Sequence, residues 1–241
     1  MKKFLAVLLA AMLMMTGMAA AAEDEEKVLN IFTWEGYVDD NTLAQFKEAT
    51  GIQVNFATFA SNEEMLLKLQ ANGGSEYDII IASDYAISAA GKQGLLLPLD
   101  KAKLTHWDNL NPDYLDQYFD PENVYSVPYT VGSPMIVYDP DQVEGEITSF
   151  SDLWDEQFAD GLWLIDDARV MIGEVLKSMG YSYNTTDEAE LAQAAQKLAE
   201  LKPNVRVLDY DMSYNYLVAG EAKAAYLFTP FAINSLMENP N

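Results

Sequence analysis

Between Val28 and about Leu99, β-rich apolar runs alternate with capped helical segments, and few folds accept that order of elements. A strand followed each time by a helix predicts a parallel sheet covered by helices, the α/β class. Val28 to Phe32 reads as the first strand. Asp39, Asp40 and Asn41 then offer N-caps for a helix carrying Leu43, Phe46 and Ala49 on one face. Ile52 to Phe59 reads as the second strand. Ser61-Asn62-Glu63-Glu64 reads as a capping box, opening a helix with Met65, Leu66 and Leu69 turned inward and ended by Asn72-Gly73-Gly74. Tyr77 to Ala82 is a continuous apolar run, expected as a strand buried on both faces of a parallel sheet.

Ligands of open α/β sheets bind beyond the carboxyl ends of the strands. Trp34-Glu35-Gly36-Tyr37 follows the first strand and Ser83-Asp84-Tyr85 follows the third. Gly36 permits a tight turn, because it lacks a Cβ. Two such loops bearing aromatics and small polar groups point to a binding site on one sheet edge. The alternative is that Trp34 and Tyr37 only cover that edge.

Asp100 to Asn123 has no steady period and is read as surface loops and short turns. Its acids do not follow the spacing of a calcium loop, so no metal or other cofactor is assigned. His106, the single histidine, is read as structural. Val124 to Tyr129 and Pro134 to Tyr138 are short β-rich runs around Thr130-Val131-Gly132-Ser133, a pattern that suits a crossing between two lobes. The lobes are placed at residues 23–128 and 129–241.

The second lobe repeats the α/β pattern. Ser149-Phe150-Ser151-Asp152 caps a short helix, and Gly161 to Ile165 is a strand that ends in Asp166-Asp167-Ala168-Arg169. A helix from Val170 to Met179 follows, stopped by Gly180. Thr185-Thr186-Asp187-Glu188 is read as another capping box, opening an alanine-rich helix to about Leu201. Val205 to Leu208 and Ala224 to Phe228 are strands, with a short helix around Tyr214 to Ala219 between them. Asp166 is assigned to the helix cap and Asp167 kept as the ligand candidate, with Arg169 able to pair with either.

Met1-Lys2-Lys3, the apolar run Phe4 to Met15 and the small residues Ala19 to Ala22 form a secretory signal peptide over residues 1–22. The chain has no cysteine, which removes disulfides, thiolate metal sites and a lipid-modified cysteine together. A free periplasmic protein is therefore expected. Losing Lys2 and Lys3, and no acid, takes the formal net charge from −24 to −26. That balance argues against nucleic acid and is compatible with a cationic ligand.

These residues resemble the spermidine/putrescine-binding proteins of bacterial ABC importers. The likeness runs from Val28 to Phe228, through Asn30 to Val38, Ala60 to Met65, Phe119 to Tyr129, Asp166 to Arg169 and Gly180 to Asp187. It implies a two-lobed, type II-like periplasmic binding protein, each lobe a β-sheet flanked by helices. It implies a monomer that hands a polyamine to membrane permease subunits, and not an enzyme. By the same resemblance Trp34 and Tyr37 line the cleft, with Trp34 stacked on the ligand's methylenes. Ser83 and Tyr85 contact a terminal amine, and Asp167 is the anionic partner from the second lobe.

The sequence departs from the family in three places. Gly36 stands where an acid precedes the loop tyrosine, and Glu35, one position earlier, is the ligand-binding candidate to replace it. Val170 stands where spermidine-selective members have a glutamate, and Phe228 where they have a cleft tryptophan. Family members also continue for roughly a further hundred residues that return to the first lobe, so that lobe is expected to be incomplete and the chain a fragment. Two other readings are carried along: a binding protein for another small solute, and an exported hydrolase using paired carboxylates. No Gly-x-Ser-x-Gly, His-Glu-x-x-His or phosphate-loop pattern accompanies the latter.

Overall fold

The computed structural model describes residues 27–209 and 214–239. The expected leader at 1–22 lies outside the described residues. The chain divides into two compact units that meet between Val127 and Pro128.

In the first unit β1 (Val28–Thr33), β2 (Gln53–Thr58) and β3 (Ile79–Ile80) form a parallel sheet in the order β2-β1-β3. Six residue pairs, from Val28 with Gln53 to Thr33 with Thr58, join the first two strands. One helix follows each strand: α1 (Asp40–Thr50), α2 (Asn62–Asn72) and α3 (Asp84–Lys92). Their starts are chemically clear. Asp39 accepts from Thr42 N at 3.0 Å, and Ser61 Oγ accepts from Glu64 N at 3.1 Å. The Glu64 carboxylate reaches back to Ala60 N, one residue before the amide a capping box uses. Gly51 and Gly73, both left-handed, close α1 and α2.

Met65 and Leu69 of α2 are buried, as their spacing predicts, but α1 buries no residue and leaves Phe46 36% exposed. The expectation of a third strand buried on both faces is corrected. β3 has two residues, sits at the sheet's edge, and leaves Ile79 45% exposed. A continuous apolar run reads the same at an edge as at a centre. Val124 to Tyr129 is not a strand either. The Asp120 carboxylate accepts from the amides of Val124, Tyr125 and Ser126 and from Ser126 Oγ, so those donors are unavailable for a ladder.

The second unit has β4 (Pro134–Tyr138), β5 (Leu162–Ile165), β6 (Val205–Asp209) and β7 (Ala224–Phe228), in the order β4-β7-β5-β6. β4 runs antiparallel to β7; β5 is parallel to both its neighbours. All four residues of β5 are buried, as are all of β7 but Phe228. Leu153, Phe158, Leu162, Leu164, Ile165 and Met171 make one core, each worth about 1.5–3 kcal/mol when fully buried. The helices are α4 (Ala168–Ser178), α5 (Glu188–Glu200), α6 (Tyr214–Val218) and α7 (Thr229–Glu238). α4 meets α5 through Val175, Leu176 and Ala194. The Tyr183 ring lies over Gly173 of α4, where a Cβ would fall 2.2 Å from Tyr183 Cζ. Only glycine fits there.

The second capping box is also corrected. Asp187, not Thr185, caps α5, accepting from Ala189 N and Glu190 N, while Thr185 Oγ1 accepts from Asp187 N. The buried Tyr226 phenol is pushed well above its ordinary range by burial and by the Glu174 carboxylate bonded to it.

Candidate functional site

Because β1, β2 and β3 are parallel, the chain leaves all three at one edge of the first sheet, at Trp34, Phe59 and Ser83. The Trp34 ring packs edge-on against Phe59 at 4.5 Å between centroids, and Phe59 packs edge-on against Phe32 at 4.9 Å. Trp34 is 4% exposed, so it is mainly a wall of this aromatic cluster. Tyr37, 6.5 Å from it, is 37% exposed and offers the accessible face. Between them Gly36 takes φ +72° in the turn, with Glu35 exposed beside it.

Ser83 and Tyr85, at the start of α3, are brought together by Asn62 from the first turn of α2. Asn62 is 1% exposed. Its Nδ2 donates to Ser83 Oγ and to Tyr85 Oη, each at 3.0 Å, and its Oδ1 accepts from Ser83 N at 3.2 Å. Tyr85 Oη in turn donates to Glu63 Oε1 at 3.1 Å. The neighbouring Glu64 carboxyl is held below the usual range, chiefly by its bond to Lys68. Sequence reasoning used Asn62 and Glu63 only as capping-box positions. Partners 21 and 23 residues away leave no local signal.

In the second unit the carboxyl ends of β5, β6 and β7 share one edge, which carries Asp166 and Asp167, Asp209, and Phe228. The division between the two aspartates is corrected: Asp167 caps α4, its Oδ1 accepting from Val170 N at 2.9 Å, while Asp166 is exposed. Capping does not consume the charge, and it fixes the carboxylate at a helix N-terminus. Arg169 donates to Tyr183 O at 3.1 Å and to Asn184 Oδ1, and lies over the Tyr183 ring. Phe228, half-buried, ends β7 opposite Pro134. Asp209, whose carbonyl accepts from Asp166 N at 3.0 Å, escaped the sequence reading. A polar strand-end residue there has no distinguishing neighbour.

Among the described residues no group of three or more His, Cys, Asp or Glu is placed to hold a metal ion. His106 is exposed at the start of a single 3-10 turn. A small depression lined by Val137, Tyr138, Leu217 and Leu236 among others lies by the far end of the second sheet and belongs to neither edge.

Parallel strands that deliver aromatic, hydroxyl and carboxylate groups to their carboxyl edges, in two successive α/β units, fit the solute-binding class of protein. The chain belongs to the family of bacterial extracellular solute-binding proteins, which it matches over residues 41–240. It is 38% identical over 229 residues to the spermidine/putrescine-binding periplasmic protein of Escherichia coli, an alignment covering 95% of this chain and 66% of that one. It is 31% identical to the putrescine-binding periplasmic protein PotF of Escherichia coli, over 91% of this chain and 63% of the relative. Among solved structures it resembles the spermidine/putrescine ABC transporter substrate-binding protein PotD of Streptococcus pneumoniae, with a TM-score of 0.71 and 37% identity over 89% of this chain and 66% of that one. The chain thus spans just under two thirds of the length of these relatives.

Proposed function

We propose that this is an extracytoplasmic binding protein that captures a polyamine, putrescine or spermidine, and delivers it to the membrane permease of an ABC importer. The observation that carries the reading is the pair of carboxyl edges. One presents Tyr37, Ser83 and Tyr85; the other presents Asp167 on its helix cap and the half-buried Phe228. A linear alkyl diammonium needs a carboxylate at its charged end and aromatic or apolar faces along its methylenes, and these residue types match. The names of the relatives support the same ligand class and a role without catalysis. The leader expected at residues 1–22 supports export to the periplasm. Mass measurement of the exported protein checks this, with a mature chain beginning near Glu23 as the expected result.

Titration calorimetry of the full chain against putrescine, spermidine, amino acids and oligosaccharides tests the ligand. Binding of a di- or triamine in preference to amino acids and sugars is expected; binding of an amino acid or sugar alone overturns the polyamine reading. Asp167→Asn sharpens it, because asparagine caps a helix as well as aspartate does. That variant is expected to keep its thermal midpoint and lose about 2–4 kcal/mol of polyamine affinity. Equal affinity in the two proteins removes Asp167 from the site.

A further inference from the structure

We propose that Glu63 is the carboxylate with which the first unit meets a terminal amine of the ligand, and that buried Asn62 positions the two hydroxyls beside it. The inference rests on the polyamine reading and names a residue that the family pattern and Gly36 leave open. Six acids lie in the loops and first helical turns that follow the three strands at this edge: Glu35, Asp39, Asp40, Glu63, Glu64 and Asp84. Asp39 is occupied as the cap of α1, bonded to Thr42 N and Oγ1, and Asp40, exposed in the first turn of α1, has no hydrogen bond to Ser83 or Tyr85 among the described residues. Glu64 is already neutralised by Lys68 Nζ at 2.8 Å and tied to Ala60 N at 3.0 Å. Asp84 accepts from its neighbour Tyr85 N at 2.7 Å and from Tyr118 Oη at 3.1 Å. Glu35, exposed in the turn beside Gly36, has no hydrogen bond to Ser83 or Tyr85 among the described residues.

Glu63 is different in kind. It is exposed, forms no ion pair among the described residues, and is bonded to the very hydroxyl that the polyamine reading assigns to the amine. The direction of the hydrogen bonds gives the reason. Both protons of Asn62 Nδ2 point to the hydroxyl oxygens of Ser83 and Tyr85, so both oxygens already act as acceptors. The Tyr85 proton is directed to Glu63. The cluster therefore presents oxygens and one negative charge, the complement of an ammonium that only donates. Because Asn62 is buried and all three of its bonds are made, it can hold this polarity against rotation of the hydroxyls.

Calorimetry of the full chain with putrescine as probe, at low salt, provides the test. Glu63→Gln is expected to weaken binding about 10- to 100-fold with an unchanged thermal midpoint, the usual scale for removing a paired charge. Glu35→Gln is expected to change it by no more than about twofold, as an exposed charge outside the contact does. Tyr85→Phe tests the link independently of Glu63. Adding Glu63→Gln to Tyr85→Phe is expected to cost less than the product of the single effects, because the two residues act through one bond. If wild type binds putrescine and Glu63→Gln binds it equally well, the inference falls while the polyamine reading stands. Equal losses in Glu35→Gln and Glu63→Gln also overturn the assignment to Glu63. If wild type binds neither putrescine nor spermidine, the polyamine reading fails first and takes the inference with it.

Discussion

In the second unit the strand β5 is sealed along its whole length, whereas in the first unit β1 is buried only at Phe32 and Thr33, next to the candidate site. The rest of β1 is half-open, with Val28 43% exposed, and its neighbours expose Phe56 and Ile79. The difference teaches where each unit keeps its order. The second unit has a core first and site residues appended at its rim. The first concentrates its burial at the carboxyl edge, in the Phe32, Trp34 and Phe59 rings and the Asn62 network. Stability and binding should therefore separate in the second unit, and in the first they should move together wherever the buried rings or Asn62 are disturbed.

The largest effect expected from this contrast is in the cores. Leu164→Ala, in β5, should cost about 2–5 kcal/mol in equilibrium denaturation, since it opens a cavity in packed surroundings. Ile79→Ala, at a site 45% exposed, should cost under about 1.5 kcal/mol, less than a fully buried side chain contributes. Similar losses at the two positions would break the comparison. Next comes Asn62→Leu, which leaves the half-buried Ser83 amide without its partner. A loss of about 1–3 kcal/mol is expected, with hydrogen exchange quickening around α2 and α3 and unchanged in β5 and β7. Polyamine affinity should fall with it, unlike the Asp167→Asn case.

The smallest effect concerns acid and salt. Glu64 in the first unit and Asp152 in the second both have carboxyls held below their ordinary ranges, so each adds stability above the unfolded-state value that is lost as pH falls through the lower folded one. Their causes differ. Lys68 is the main one for Glu64, whereas the amides of Thr148 and Ser149 hold Asp152. Raising the salt should weaken the Glu64 contribution and leave that of Asp152 nearly unchanged. Carboxyl titrations followed by NMR between about pH 6 and about pH 2, at two ionic strengths, read both. Equal salt sensitivity would show that an ion pair and a backbone cap behave alike here.

Much of this architecture was legible because its signals are local. Asp39, Ser61, Gly51 and Gly73 act within four residues of themselves, and the apolar runs of β1, β5 and β7 are strands wherever they sit. What escaped was set by distant partners. Tyr77 to Ala82 looks like a central strand until the sheet order puts it at an edge. Val124 to Tyr129 has strand composition, but the carboxylate of Asp120 takes its amides first. Adjacent aspartates at 166 and 167 cannot be told apart by type, and only the approach of Val170 N selects the cap. The candidate site divides in the same way. Trp34, Tyr37, Ser83 and Tyr85 were marked by their positions after strands, while the residue that ties two of them together, Asn62, was visible only in three dimensions.

The cap at Asp167 carries a consequence for how such a protein changes over generations. Asparagine and serine start helices about as well as aspartate, and threonine nearly so. Four side chains thus satisfy the folding demand at this position, and only one of them is charged. If Asp167 meets the cargo as proposed, a single substitution here would exchange a cationic cargo for a neutral one without first passing through an unstable intermediate. Gly173, pressed against Tyr183, has no such latitude. On that proposal, drift in cargo preference should run through helix starts such as Asp167, with the packed interior behind them held constant.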